Sequence, residues 1–132
     1  MKRMYFATSF KFKDEYLNIY QKLKVYLDEK YGIELYSFVF EYKGDVEDHK
    51  MMKADFIEMD KSGLIIAEAS HKSIGVGVEV GYFKAQHKNV IYLHKQNTEI
   101  ENIINGVSDY VIDYSDVDDI INWFDKNCDK LN

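Results

Sequence analysis

The chain has 132 residues, of which 46% are hydrophobic and 30% charged, a balance typical of a folded domain and not of a disordered segment. Its net charge of −6 argues against a nucleic-acid partner, since binding grooves for nucleic acids depend on Lys and Arg. We expect one cytoplasmic domain over residues 1–132 that has no membrane partner. The single cysteine fits a reducing cytoplasm, and no apolar run is long enough for a membrane span. The N-terminus also becomes charged too early for a signal peptide.

Apolar runs alternate with amphipathic patterns along the first half of the chain. Residues 4–7 are apolar and predict a buried first strand. Residues 14–30 repeat apolar positions every three or four residues, which predicts a helix. Residues 35–40 (LYSFVF) are aromatic and β-branched and predict a second strand, and residues 46–60 predict a second helix.

The second half continues the alternation. Residues 64–67 (LIIA) are entirely apolar, as in a parallel strand that is buried on both faces. A loop of small residues, 70–77, leads into a helix that reaches about residue 87. The remaining predicted elements are a strand over 89–93, a short helix over 98–104, a strand over 110–112 and a closing helix from 117, whose apolar stripe includes Cys128.

Strands that alternate with helices predict an α/β fold in three layers, with a five-stranded parallel sheet and helices on both faces. The favoured topology is flavodoxin-like, with strand order 2-1-3-4-5. Ligands in such sheets bind beyond the carboxyl ends of the strands. We therefore expect a site beside Thr8, Ser9 and the loop over residues 70–77.

The loop over residues 70–77 has two interpretations. A loop of small residues that opens a helix exposes backbone N–H groups along the helix dipole, which suits an anion, and Ser70 and Ser73 add hydroxyl groups. The loop carries neither a Walker motif nor a dinucleotide-binding motif. Its glycines, Gly75 among them, are also what ordinary turn chemistry after a strand requires.

Two acidic residues lie at the margins of apolar helix faces. At 100° per residue, Glu79 falls about 60° from the centre of the stripe of its helix, and Asp55 is placed in the same way on the preceding helix. They are either ordinary half-exposed acids or a nucleophile and an acid for glycosidic chemistry. The four histidines and one cysteine lack zinc-binding spacing, and we expect neither metal nor cofactor.

Four segments carry a resemblance to a known family: YF at residues 5–6, Asp55, AEAS at 67–70 and SIGVGVEVG at 73–81. Together they resemble the nucleoside 2-deoxyribosyltransferase superfamily, and more specifically its branch of 2'-deoxynucleoside 5'-monophosphate N-glycosidases. The likeness runs from Met4 to the last helix, and the Gly-x-Gly-x-Glu-x-Gly core is its most specific part.

The resemblance implies a role for each matching residue. Glu79 is the nucleophile that forms a glycosyl-enzyme ester, and Asp55 protonates the departing base. Tyr5 orients the nucleophile and crowds the 2'-position of the sugar. Ser73 and Gly75 hold the 5'-phosphate, and the serine favours a phosphorylated substrate because the aspartate of many transferases would repel phosphate.

The sequence departs from the family in the strand-one loop, where TSFKFK at residues 8–13 replaces a glycine-rich turn, and at Lys72, where proline is usual. Lys72 either adds a cation for the phosphate or is solvated, and Phe10 and Phe12 either cover the base or pack within their loop. The family implies a homodimer or larger homo-oligomer in which a serine before the last strand reaches a neighbour's phosphate site, and Ser108 is the nearest candidate.

The sequence thus predicts an enzyme of nucleotide metabolism that releases the free base and deoxyribose 5-phosphate from 2'-deoxynucleoside 5'-monophosphates. Two alternatives stay open at this stage. One is a transferase that exchanges bases between unphosphorylated deoxynucleosides. The other is a non-catalytic nucleotide-binding module that retains the fold, which the departures at Lys72 and in the strand-one loop favour.

Overall fold

A five-stranded parallel sheet forms the centre of the protein in a computed structural model that describes residues 1–131. Its strands are β1 (Arg3–Thr8), β2 (Glu34–Tyr36), β3 (Leu64–Glu68), β4 (Asn89–Lys95) and β5 (Tyr110–Tyr114). They lie in the order β2-β1-β3-β4-β5, and every neighbouring pair is parallel. The predicted α/β class and the strand order 2-1-3-4-5 are confirmed.

Within residues 1–131, six α-helices cover the two faces of the sheet. They are α1 (Leu17–Tyr31), α2 (Phe38–Glu41), α3 (Asp48–Asp60), α4 (Ile74–Ala85), α5 (Asn102–Val107) and α6 (Val117–Asn127). Successive residues of β1 point to opposite faces, so Phe6 packs in one apolar cluster with α1 and α6, whereas Tyr5 packs in another with α3 and α4. No helix within residues 1–131 is both long and apolar enough to cross a membrane.

The predicted strand over residues 35–40 is wrong in its second half. β2 ends at Tyr36, and α2 begins after Ser37, whose backbone is still extended. Leu35 is buried in the cluster beneath α1 and α6, whereas Phe38 joins the cluster on the other face and stacks on Tyr42 with ring centroids 4.3 Å apart. Packing on both faces therefore overrides the β propensity of the segment.

The predicted helix over residues 98–104 begins later than expected, at Asn102, after Glu101 as N-cap. The preceding residues form a loop that is tied to the end of β4. The Thr98 hydroxyl donates to the Lys95 carbonyl at 2.7 Å, and Nε2 of His94 lies 2.8 Å from the Thr98 carbonyl. These contacts hold a turn after β4 in which Asn97 has a positive φ of 66°, so the helix begins beyond this turn. β5 also extends two residues beyond its predicted end, to Tyr114.

Candidate active site

Three polar side chains meet on the face of the sheet that α3 and α4 cover. Tyr5 lies on β1, which is between β2 and β3 in the sheet, Asp55 lies on α3 and Glu79 on α4, and they are 1%, 3% and 6% exposed. The Tyr5 hydroxyl lies 2.5 Å from Oδ1 of Asp55 and also contacts Oε2 of Glu79. The structure thus brings together the three side chains to which the resemblance gives catalytic roles.

Helical spacing explains how the two acids reach the tyrosine. Val76, Val80 and Phe83 form the buried stripe by which α4 packs on the sheet, and Glu79 lies at the margin of that stripe. Asp55 precedes the fully buried Met59 by one helical turn on α3. Both carboxyl groups are therefore directed to the gap between their helices, where Tyr5 rises from the sheet.

One phenolic proton links two carboxyl groups in this arrangement. Because the Tyr5 hydroxyl can donate fully to only one acceptor, a second hydrogen bond requires a proton on one of the carboxyl groups. Burial, reinforced by the hydrogen bond and the charge of Asp55, raises the pKa of Glu79 well above its ordinary value, and the Tyr5 hydrogen bond opposes this only in part. The two hydrogen bonds to Tyr5 and the raised pKa of Glu79 together favour one proton shared by the two carboxyl groups.

A cavity of about 490 Å³ opens over this pair. Its polar end, as we name it, is the lining from Thr8 at the end of β1 and from Ser73 and Gly75 at the start of α4, and Asp55 and Glu79 also line the cavity. Its apolar end is the lining from the loop after β1 and from the segment from α2 to the first part of α3. Its lining side chains are Phe10, Phe38, Val39, Tyr42, Val46, Met51 and Met52.

The polar end coincides with the start of α4. Ser73 is the N-cap of this helix, and its Oγ accepts a hydrogen bond from the Val76 N–H at 3.3 Å. A Cβ on Gly75 would meet nothing nearer than Ser73 Oγ at 3.8 Å, so packing within the chain does not require glycine there. Thr8 Oγ1 is buried and has no hydrogen-bond partner among residues 1–131. This end offers open backbone, a helix N-terminus and free hydroxyl capacity to an anion.

Four other residues that were considered for this site lie outside the cavity lining. Ser9 is buried, and the Ser70 hydroxyl is engaged by Glu68 and by the backbone N–H of Lys95. Ser108 precedes β5 at the opposite edge of the sheet, where its hydroxyl donates to the Ile104 carbonyl at 2.6 Å. Lys72 is exposed and lines a separate depression beside Glu101.

Apart from Phe10, the residues of the apolar end were not predicted from the sequence to line a site. Met52 was interpreted as part of a helix face, and the segment with Phe38 and Val39 as strand. The available signal was the density of large apolar residues between 38 and 52, which exceeds what one short strand and one helix face can bury. Among residues 1–131, no group of three His, Cys, Asp or Glu side chains is arranged to hold a metal ion.

Sequence comparison adds two findings to this geometry. A model of the nucleoside 2-deoxyribosyltransferase family matches residues 4–120. A protein of Thermofilum pendens that carries the provisional name 2'-deoxynucleoside 5'-phosphate N-hydrolase 1 is 29% identical over 115 residues, which is 80% of each chain.

Solved structures share the fold. The CMP N-glycosidase BcmB of Clostridium botulinum superposes with a TM-score of 0.70 at 22% identity and covers 95% of this chain and 99% of its own. A 2-deoxyribosyltransferase of Bacillus psychrosaccharolyticus gives a TM-score of 0.68 at 17% identity, with 91% and 90% covered. At these identities the likeness establishes the architecture.

Proposed function

The chain belongs to the nucleoside 2-deoxyribosyltransferase family, a family of enzymes that act on N-glycosidic bonds, and we propose that it hydrolyses 2'-deoxynucleoside 5'-monophosphates to free base and deoxyribose 5-phosphate. The observation that carries this proposal is the pair of buried carboxyl groups, bridged by Tyr5, which line the same cavity as the N-terminus of α4. The name of the Thermofilum pendens relative supports the same substrate class.

The proposed reaction has two steps, in which Asp55 first donates a proton to the base and then recovers one from water. The raised pKa of Glu79 favours the proton on that residue, and the Tyr5 hydroxyl, which contacts both carboxyl groups, can pass it to Asp55. In the first step, with the proton on Asp55, the ionised Glu79 attacks the anomeric carbon while Asp55 donates that proton to the base nitrogen, so the N-glycosidic bond breaks and an ester forms. In the second, Asp55 takes a proton from water, the water oxygen attacks the anomeric carbon, and the bond to Glu79 breaks. Both acids return to their starting states, and no cofactor is consumed.

The two ends of the cavity orient the substrate. With the sugar over Glu79, a 5'-phosphate would lie at Ser73 and Gly75 and the base against the apolar end. A serine at the helix N-cap adds no negative charge, so the start of α4 remains attractive to a phosphate dianion. This arrangement favours a nucleotide over a nucleoside.

The test is to incubate the purified protein with each of the four deoxynucleoside monophosphates and with the matching deoxynucleosides, and to measure released base by chromatography. We expect base release from the monophosphates to be at least about tenfold faster than from the nucleosides. One or two charge-assisted hydrogen bonds to the phosphate have an effect of this size. Absence of release from all eight compounds at high protein concentration would overturn the proposal.

A transferase that exchanges bases is the second candidate. The apolar end of the cavity favours this reaction, because a second free base can occupy the space that the first base has left. Mixing a deoxynucleoside with a different free base separates the two activities. A new deoxynucleoside that forms faster than base accumulates by hydrolysis would assign the transferase reaction.

Stacking of the substrate's base on Phe10 gives a prediction for the apolar end of the cavity. Phe10 is 68% exposed and lines the cavity, whereas Phe12, in the same loop, stacks on His71 with ring centroids 3.8 Å apart. We expect Phe10→Ala to raise KM about tenfold for dGMP and less for dCMP, because stacking is worth about 1–3 kcal/mol per base and grows with ring area.

Phe12→Ala is the matched control for that change. Because the Phe12 ring does not line the cavity, any effect of its removal on KM should be the same for dGMP and dCMP. A base-dependent effect in Phe12→Ala, or none in Phe10→Ala, would contradict this placement of the base.

Assembly and location complete the proposal. Ser108 does not reach the cavity of its own chain, so a role at a phosphate requires a second copy, and we propose a homo-oligomer. Ile74 at the start of α4 and Ile103 on α5 are 90% and 76% exposed, which suits such a contact. The free Cys128 supports a cytoplasmic location.

A further inference from the structure

Glu68 is a buried carboxyl group that the proposed reaction does not use. It ends β3 and is 1% exposed. Its Oε1 accepts a hydrogen bond from the backbone N–H of Ser70 at 2.8 Å. Its Oε2 accepts hydrogen bonds from the Ser70 hydroxyl at 3.0 Å and from the Tyr114 hydroxyl. Both carboxyl oxygens are thus engaged at a position where a charge is costly to bury.

These bonds attach the loop after β3 to the neighbouring strands. The Ser70 hydroxyl, besides donating to Glu68, accepts a hydrogen bond from the backbone N–H of Lys95 at the end of β4, at 3.1 Å. Tyr114 is fully buried at the end of β5. Glu68 therefore fixes Ser70 relative to the carboxyl ends of β3, β4 and β5 together.

The two functional parts of α4 are held by different means. The stripe of Val76, Val80 and Phe83 packs on the sheet and holds the turn that carries Glu79. The residues that precede this stripe, 73–75, are exposed or half-buried and follow Ser70 after only two residues. The position of Ser73 and Gly75 therefore depends more on the attachment of Ser70 than the position of Glu79 does.

We propose that Glu68 is a positioning residue that acts through Ser70 to hold the start of α4 ready for the substrate's 5'-phosphate. The inference rests on the proposed function. Without Glu68, the loop from Ser70 to the start of α4 has to become ordered when the phosphate binds. The conformational entropy lost in this ordering weakens substrate binding. The chemical step, which Glu79 and Asp55 perform, is unaffected.

The test compares three variants with a deoxynucleoside monophosphate and with the matching deoxynucleoside. In Glu68→Gln the amide nitrogen replaces one acceptor, and in Ser70→Ala the links to Glu68 Oε2 and to Lys95 are lost. We expect KM for the monophosphate to rise about tenfold in both variants, because each loses a hydrogen bond to a charged group. We expect kcat to stay within about threefold of that of the unchanged protein. For the deoxynucleoside, kcat/KM should change less than about threefold.

Tyr114→Phe is the matched control, because it removes one bond to Glu68 and leaves both Ser70 bonds in place. Its KM for the monophosphate should stay within about threefold of the unchanged protein. A kcat that falls with KM unchanged, or equal losses with both substrates, would overturn the role of Glu68. If Glu68→Gln does not fold, Ser70→Ala decides, since Ser70 is partly exposed. Equal turnover of both substrates by the unchanged protein would instead overturn the phosphate preference in the proposed function.

Discussion

Replacement of Glu79 by alanine should abolish turnover, with kcat at least about a thousandfold below that of the unchanged protein. The side chain contacts the Tyr5 hydroxyl and lines the cavity beside Asp55, and no other carboxyl group lines that cavity within residues 1–131. Without it no ester forms, and the oxocarbenium-like transition state loses its neighbouring negative charge. The measurement is base release from a deoxynucleoside monophosphate under single-turnover conditions.

Two controls make this result specific. Glu29→Ala removes an exposed glutamate of α1, far from the cavity, and should leave kcat unchanged. Rapid quenching of the unchanged protein with substrate should reveal, by mass spectrometry, a peptide containing Glu79 that carries deoxyribose phosphate. Activity of Glu79→Ala within tenfold of the unchanged protein, or the adduct on a different peptide, would remove Glu79 as nucleophile.

The second large effect is expected from Asp55→Asn, which cannot donate or accept the proton that the reaction moves. We expect kcat for natural substrates to fall by about 10²–10⁴-fold, the usual contribution of general acid catalysis. An activated nitrophenyl deoxyriboside phosphate needs no proton on its leaving group. It should therefore still give a rapid burst of nitrophenol, followed by slow hydrolysis of the ester because water activation is also lost.

The pH profile supplies an independent measurement on the same variant. Burial first, and then the hydrogen bond and charge of Asp55, raise the pKa of Glu79, so loss of the Asp55 charge should lower it. Because the proposed reaction uses Glu79 in its ionised form, the acid limb of kcat/KM should move to lower pH in Asp55→Asn. An unmoved acid limb, together with loss of the burst, would show that Asp55 is not the acid.

Much of the fold was accessible from the sequence because its signals are local. The apolar runs of β1, β3 and β4 and the period of α1 and α6 each lie within one segment, and the alternation of strands and helices then restricts the topology. The margin positions of Asp55 and Glu79 are likewise readable from helical spacing. Their assignment as a pair came from the resemblance, which supplied the partner that spacing alone cannot identify.

The rest depends on contacts between distant segments. The turn of the chain at Ser37, which ends β2 and sends Phe38 to the opposite face, is decided by packing against elements on both sides of the sheet. The Tyr114 hydroxyl reaches Glu68 across 46 residues of sequence, and no local pattern marks that partnership. Sequence reasoning also cannot show which apolar residues remain uncovered and line a cavity, as Met51 and Met52 do.

The strand order has a consequence for how the chain acquires its site. Tyr5 lies 50 residues from Asp55 and 74 from Glu79 in sequence, and β1 pairs with β3 only after α1, β2, α2 and α3 have intervened. Closing so long a loop costs chain entropy before the contact repays it, which makes such parallel sheets slow to assemble. During synthesis β1 can pair only with β2 until β3 emerges, so the backbone groups on its other edge have no strand partner until then. Regained activity during refolding therefore requires the closure of β1 against β3, together with the docking of α3 and α4 that brings Asp55 and Glu79 to Tyr5.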